Sequence, residues 1–170
     1  MQATKYEEIL KYAMNMEKTA EGFYKTYMSK VKAESNKEIF TQLAEMEDDH
    51  YEILEKELKK IQDGKEFDDF ESLDLKDGED IFKINERDIK DMNFDSTVED
   101  LPILRMAYAM ENDFATFYEK AAENVEEPNA KKLLEVLAKW EIQHRDSFDQ
   151  EIKLATENSW FTNSFAPLDR

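Results

Sequence analysis

The second half of this 170-residue chain repeats the first at a fixed offset of 94 residues. MEKTAEGFY at 16–24 returns as MENDFATFY at 110–118, and LAEMEDDH at 43–50 returns as LAKWEIQH at 137–144. Ser35 aligns with Asn129, and no gap is needed from Ile9 to His50. Such a period means two copies of one supersecondary unit, related by a pseudo-two-fold axis. Each copy reads as a helical hairpin, because its apolar residues recur at spacings of three and four. With Gly 3 and Pro 3 in the whole chain, little interrupts long helices. Two hairpins joined by a long connection make a four-helix bundle.

The first helix is expected over about 4–32, on Ile9, Ala13, Met16, Ala20, Phe23, Tyr27 and Val31. SNKE at 35–38 has the form of a capping box, in which Ser35 accepts from the Glu38 backbone N–H and Glu38 reaches back. The second helix follows through Phe40, Leu43, Leu54, Leu58 and Ile61 to a stop at Gly64. Pro102 is tolerable only in a first turn, so the third helix runs from about Asp100 to Asn124, on Leu104, Ala107, Phe114, Tyr118 and Ala122. Pro128 breaks the chain, Asn129 is the expected N-cap, and Leu134, Leu137, Phe148 and Ile152 carry the fourth helix. The expected organisation is one all-α domain over 1–170: a hairpin at about 4–63, an acidic crossover at about 64–97, a hairpin at about 98–158 and an irregular aromatic tail at 159–170. The crossover, with short apolar groups such as IFKI at 81–84, exceeds an ordinary helix–helix loop and has room for a short helix.

The repeat also filters the polar residues. Glu17 matches Glu111, Glu47 matches Glu141 and His50 matches His144, whereas Glu45, Asp48 and Asp49 become Lys139, Ile142 and Gln143. Glu47 and His50 are three residues apart and share one helix face, as do Glu141 and His144. That face is apolar, since Leu43 and Leu54 flank the first pair and Leu137 and Phe148 the second. Glu17 lies in line with Ala13 and Ala20, and Glu111 with Ala107 and Phe114. Similar distances from each hairpin turn bring Glu17 beside His50 and Glu111 beside His144. All six groups are therefore expected at one level of the core, with Glu45, Asp48 and Asp49 turned to solvent. Glu21 matches Ala115 and reads as a surface glutamate; Met46 and Trp140 match each other and read as core.

Buried carboxylates must be paired or protonated, and no lysine or arginine falls on these rows to pair them. Two divalent cations would balance four carboxylates, with two neutral imidazoles completing the donors. A Glu from each of two helices and Glu-x-x-His from each of the others is the ligand pattern of di-iron and di-manganese carboxylate bundles. Imidazole with carboxylate suits iron, manganese or zinc. Tyr24 and Tyr118 follow Glu17 and Glu111 by seven residues, two turns along the same face. They could hydrogen-bond to the carboxylates from behind, or form an aromatic core layer.

Other chemistries are excluded or disfavoured. Without cysteine, the chain has no disulfide, iron–sulfur cluster or thiol catalysis of its own. A net charge of −18 repels nucleic acid and anionic lipid. No apolar run reaches spanning length, and MQATKYEEIL does not read as a signal peptide, so a cytoplasmic location is expected. No Gly-rich phosphate loop or nucleophile–base motif is present.

On MEKTAEGFY with EMEDDH and MENDFATFY with WEIQH, the chain resembles the ferritin-like superfamily and, within it, the rubrerythrin family. The resemblance covers both hairpins. It implies a ferritin-like bundle with two irons, bridged by Glu47 and Glu141, with Glu17 and Glu111 as terminal carboxylates and His50 and His144 each capping one metal. It further implies a cytoplasmic homodimer that reduces hydrogen peroxide or oxygen. Rubrerythrins with a rubredoxin domain carry its cysteine-ligated iron. This chain has no cysteine, so the resemblance implies electrons from a separate rubredoxin-like protein. Rubrerythrins also carry an extra carboxylate one turn after the third-helix glutamate, where this chain has Phe114, and the remaining six-ligand set is similar to that of bacterioferritin. Three functions follow as expectations: a peroxide- or oxygen-reducing enzyme with no catalytic residue beyond the metal ligands, a ferroxidase that stores iron, or a metal-binding bundle without turnover.

Overall fold

Alternating apolar rows fold each repeat copy into two antiparallel helices. The computed structural model describes residues 2–70 and 98–162. Among these, α1 spans Gln2–Tyr27, α2 spans Glu34–Gln62, α3 spans Leu101–Glu123 after a 3₁₀ turn at Val98–Asp100, and α4 spans Pro128–Thr162. α1 packs along α2 and α3 along α4. The four helices form the all-α bundle that the repeat implies, in the ferritin-like arrangement that the resemblance implies. The central crossover, IFKI included, and the last eight residues lie outside the described residues.

The buried row of α1 keeps Ala13, Met16 and Ala20 as expected but is centred differently. Leu10, Glu17 and Tyr24, seven residues apart, are almost wholly buried, while Ile9, Phe23 and Tyr27 pack on the flank of the core. Their spacing keeps the glutamate and the tyrosine on the innermost line of the helix.

Several helix ends also differ. α1 stops at Tyr27 rather than near residue 32, because the N–H groups of Lys30 and Val31 both turn back to the Tyr27 carbonyl, at 2.8 and 3.1 Å. Val31 is buried from within the turn. α2 begins at Glu34 with Ala33 as its N-cap and no side-chain cap, so Ser35 lies inside the helix rather than at the cap position expected for it. The turn is held from outside instead. Asp100 is wholly buried, and its carboxylate accepts from the Lys32 N–H at 2.7 Å, the Ala33 N–H at 3.1 Å and Asn36 Nδ2 at 2.8 Å.

At the second turn the Glu127 carboxylate, not Asn129, accepts from the Ala130 N–H. Pro128 opens α4 instead of breaking the chain before it, at a position where a missing N–H is harmless. α4 continues to Thr162, so Trp160, Phe161 and Thr162 are helical rather than part of an irregular tail. α2 ends as expected. Gly64 takes φ 72°, and the N–H groups of Gly64 and Lys65 bond back to Ile61 and Lys60 at 3.1 and 2.9 Å.

The same offset relates the two turns. The Ala33 N–H donates to Asp100 at the head of α3, and its counterpart, the Glu127 N–H, donates to the Tyr6 hydroxyl near the head of α1 at 3.2 Å. Tyr6 and Asp100 are themselves 94 residues apart. Each hairpin turn is thus fastened to the first helix of the other hairpin, so α1 and α3 run antiparallel. This fixes the level at which their glutamates meet.

Candidate metal centre

Glu17 from α1, Glu47 and His50 from α2, Glu111 from α3, and Glu141 and His144 from α4 converge midway along the bundle. All are buried, and His144 is the most exposed at 2 %. They form two groups of donor atoms: Glu17, Glu47, His50 and Glu141 in one, Glu47, Glu111, Glu141 and His144 in the other. His50 Nδ1 lies 3.4 Å from Glu17 Oε2, 3.2 Å from Glu47 Oε2 and 3.3 Å from Glu141 Oε1. His144 Nδ1 lies 3.6 Å from Glu47 Oε1, 3.7 Å from Glu111 Oε2 and 3.5 Å from Glu141 Oε2. Glu47 and Glu141 therefore offer one oxygen to each group. The two imidazole rings lie parallel, 6.1 Å apart and 7° from coplanar.

The outer carboxylates are held from behind across the hairpins. The Tyr24 hydroxyl donates to Glu111 Oε1, and the Tyr118 hydroxyl donates to Glu17 Oε1. Both tyrosines are fully buried, so they pack in the core and support the carboxylates at once. Their inward oxygens are different. Glu17 Oε2, Glu111 Oε2 and all four oxygens of Glu47 and Glu141 are buried without a hydrogen bond among the described residues. Each faces an imidazole nitrogen that has two other carboxylate oxygens at nearly the same distance. One ring N–H cannot serve three acceptors in good geometry. Donors about 2.1 Å from a shared ion lie roughly 3.0–3.4 Å from one another, whether the ion is four- or six-coordinate. The separations in the first group match that spacing, and those in the second are slightly wider. Buried, inward-facing oxygen and imidazole donors at this spacing fit a di-metal site.

Without cations the cluster relieves its charge through protons. Burial pushes the Glu17 carboxyl well above the usual range, and the neighbouring Glu141 charge adds to it. Burial likewise raises Glu111, helped by Glu47 and Glu141. For Glu47, burial is outweighed by His144 and His50, which hold it below the usual range. Glu141 is lowered too, against burial and the Glu47 charge, by the same two imidazoles. Burial opposes charging of His50, yet Glu141, Glu17 and Glu47 together raise it well above an ordinary histidine. Protons are thus held more tightly on the outer glutamates than on the shared ones.

The other acids of the opening motif divide. Glu45 is exposed, and Asp48 is half-buried and pairs with Lys18 at 2.8 Å. Asp49, expected in solvent, is only 8 % exposed, because it lies one turn after the buried Met46 on a broader inner face. Glu21 is also buried rather than exposed; its carboxylate sits between Lys18, at 2.7 Å, and Lys25. Met46 and Trp140 are core residues, and the Trp140 ring lies 5.3 Å from that of His50. Phe114 is buried one turn after Glu111. Two further buried glutamates, Glu57 and Glu151, lie outside the cluster. They are 94 residues apart, so extending the repeat beyond His50 would have found them. Asp100 leaves no such signal, because its counterpart is a tyrosine.

A family model described as rubrerythrin matches residues 8–152. No curated protein and no solved structure matches the chain. The matched span takes in both hairpins and all six converging residues, and this chain belongs to the rubrerythrin family.

Proposed function

We propose that this protein reduces hydrogen peroxide or oxygen at a di-iron centre, with electrons from a separate rubredoxin-like protein. The reading rests above all on the division of Glu47 and Glu141, each giving one oxygen to each group of donors. Glu17 and His50 would complete one metal subsite, and Glu111 and His144 the other. Manganese or zinc would suit the same donors, and iron is the metal the family implies. Bound iron supplies one-electron redox chemistry and charge stabilisation that no side chain here provides. Hydrogen peroxide takes up two electrons and two protons and leaves as two waters.

The chain's own part is positioning. α1 to α4 hold six donors on rigid helices, and Tyr24 and Tyr118 fix the rotation of the outer carboxylates. The surrounding core, with Trp140 against His50, keeps bulk water away. A homodimer in the cytoplasm is the form in which we propose it works.

The test is peroxide consumption by iron-loaded protein with a rubredoxin as donor. Turnover is expected, and Glu47→Ala and Glu141→Ala should each abolish it. Unchanged rates in both variants would overturn the reading. Phe114 favours a second reading, ferroxidase activity with iron storage, because it stands where the family's extra carboxylate would be. Storage needs a hollow multimer, so elution as a dimer on size exclusion would remove it.

A further inference from the structure

Each tyrosine behind the centre is also the inner end of a chain of ring contacts. Tyr118, bonded to Glu17, meets Phe117 edge-on with ring centres 5.3 Å apart. Phe117 in turn meets Tyr12 at 4.8 Å. Phe117 is partly buried, and Tyr12 is 58 % exposed, the most exposed large apolar side chain among the described residues. On the other side, Tyr24, bonded to Glu111, meets Phe23 at 5.4 Å, and Phe23 meets Tyr27 at 4.6 Å.

The two chains are not equivalent. The repeat places Met106 where Tyr12 would have its counterpart, so the second chain lacks a ring at that position. It bends instead to Tyr27, which is half-buried and has the Lys30 ammonium over its ring at 4.7 Å. Among the described residues, only the first chain ends in a ring that is mostly exposed.

We propose that Tyr118, Phe117 and Tyr12 form the path by which electrons from the outside donor reach the centre, with Tyr12 as the entry point. The proposal rests on the reading of a redox centre fed by a separate protein. Electron tunnelling weakens steeply with distance through saturated groups. A continuous line of ring contacts ending in a hydrogen bond to Glu17 is therefore the favoured route through a helical wall. The donor loses one electron per encounter and the centre gains it. No bond in the path breaks, and two encounters supply the two electrons that peroxide takes.

The test uses oxidised, iron-loaded full-length protein mixed with reduced rubredoxin in a stopped-flow spectrometer. Phe117→Leu removes a ring that is largely beneath the surface. It should lower the limiting rate at saturating donor about tenfold while leaving the half-saturating concentration unchanged. Tyr12→Leu should lower the rate at least as far, and Tyr12→Phe, which keeps the ring, should retain it. Reduction by dithionite should be equal in all variants. A second readout needs no iron: in the metal-free protein, bound rubredoxin should protect Tyr12 from nitration by tetranitromethane. Wild-type limiting rates in Phe117→Leu and Tyr12→Leu, or nitration of Tyr12 unaffected by the donor, would overturn the path. Failure of the wild-type protein to take up iron or to be oxidised by peroxide would instead sink the di-iron reading itself.

Discussion

At the scale of single residues, the centre is a problem in charge. Four carboxylates share one buried layer, and burial is the chief reason that the outer two are raised well above the usual carboxylate range. Metal binding needs deprotonated donors, and the raised groups, Glu17, Glu111 and His50, resist losing their protons. Apparent metal affinity should therefore increase as pH rises. Calorimetric titration with a divalent metal in two buffers of different ionisation enthalpy should show net proton release. Uptake without release would contradict the protonation pattern. The tyrosines give a second prediction. Tyr24→Phe and Tyr118→Phe each leave a buried carboxylate oxygen without its donor. Each should destabilise the metal-free protein by about 1–3 kcal/mol in urea unfolding. The two costs should be similar, since the sites are copies. Much of this residue layer was legible in the chain, because the repeat kept the six converging residues and discarded Glu45 and Asp48. Asp49 escaped that logic, since a position can lose its counterpart and still be buried by the width of its helix face.

Among the elements, the informative feature is the exchange of fastenings between hairpins. Helix periodicity showed four helices and their inward faces but misplaced four of their ends. Local cap motifs failed because the groups that satisfy the first turn come from 64 to 68 residues away. Asp100→Ala should leave the Lys32 and Ala33 N–H groups and the Asn36 amide without their acceptor. The expected loss is about 2–4 kcal/mol by urea unfolding, above that of an ordinary surface cap. Ser35→Ala, by contrast, should cost less than Asp100→Ala, because Ser35 lies inside the first turn of α2 and is not its N-cap. If Ser35→Ala proved the costlier of the two, the turn would be held locally after all.

For the whole molecule, binding and stability are linked through the same six residues. A metal that binds the folded chain at a hundred times its dissociation constant adds about 2.7 kcal/mol to stability. Thermal unfolding should therefore shift upward with ferrous ion under anaerobic conditions. Glu47→Ala, which removes an oxygen from both donor groups, should abolish most of that shift, and Glu17→Ala should reduce it less. The sequence by itself determined the bundle, because a 94-residue repeat of amphipathic hairpins can bury its apolar faces only against its own second copy. It also placed Glu17, Glu47, His50, Glu111, Glu141 and His144 in the core, because the repeat keeps these six on the apolar faces of their helices. Only the tertiary structure decided how the two copies are joined. Tyr24 reaches Glu111 and Tyr118 reaches Glu17, Asp100 holds the far turn, and a path of rings from Tyr118 comes to the surface at Tyr12. Periodicity describes one helix at a time, and these contacts depend on the level and rotation of one hairpin against the other, which packing alone settles.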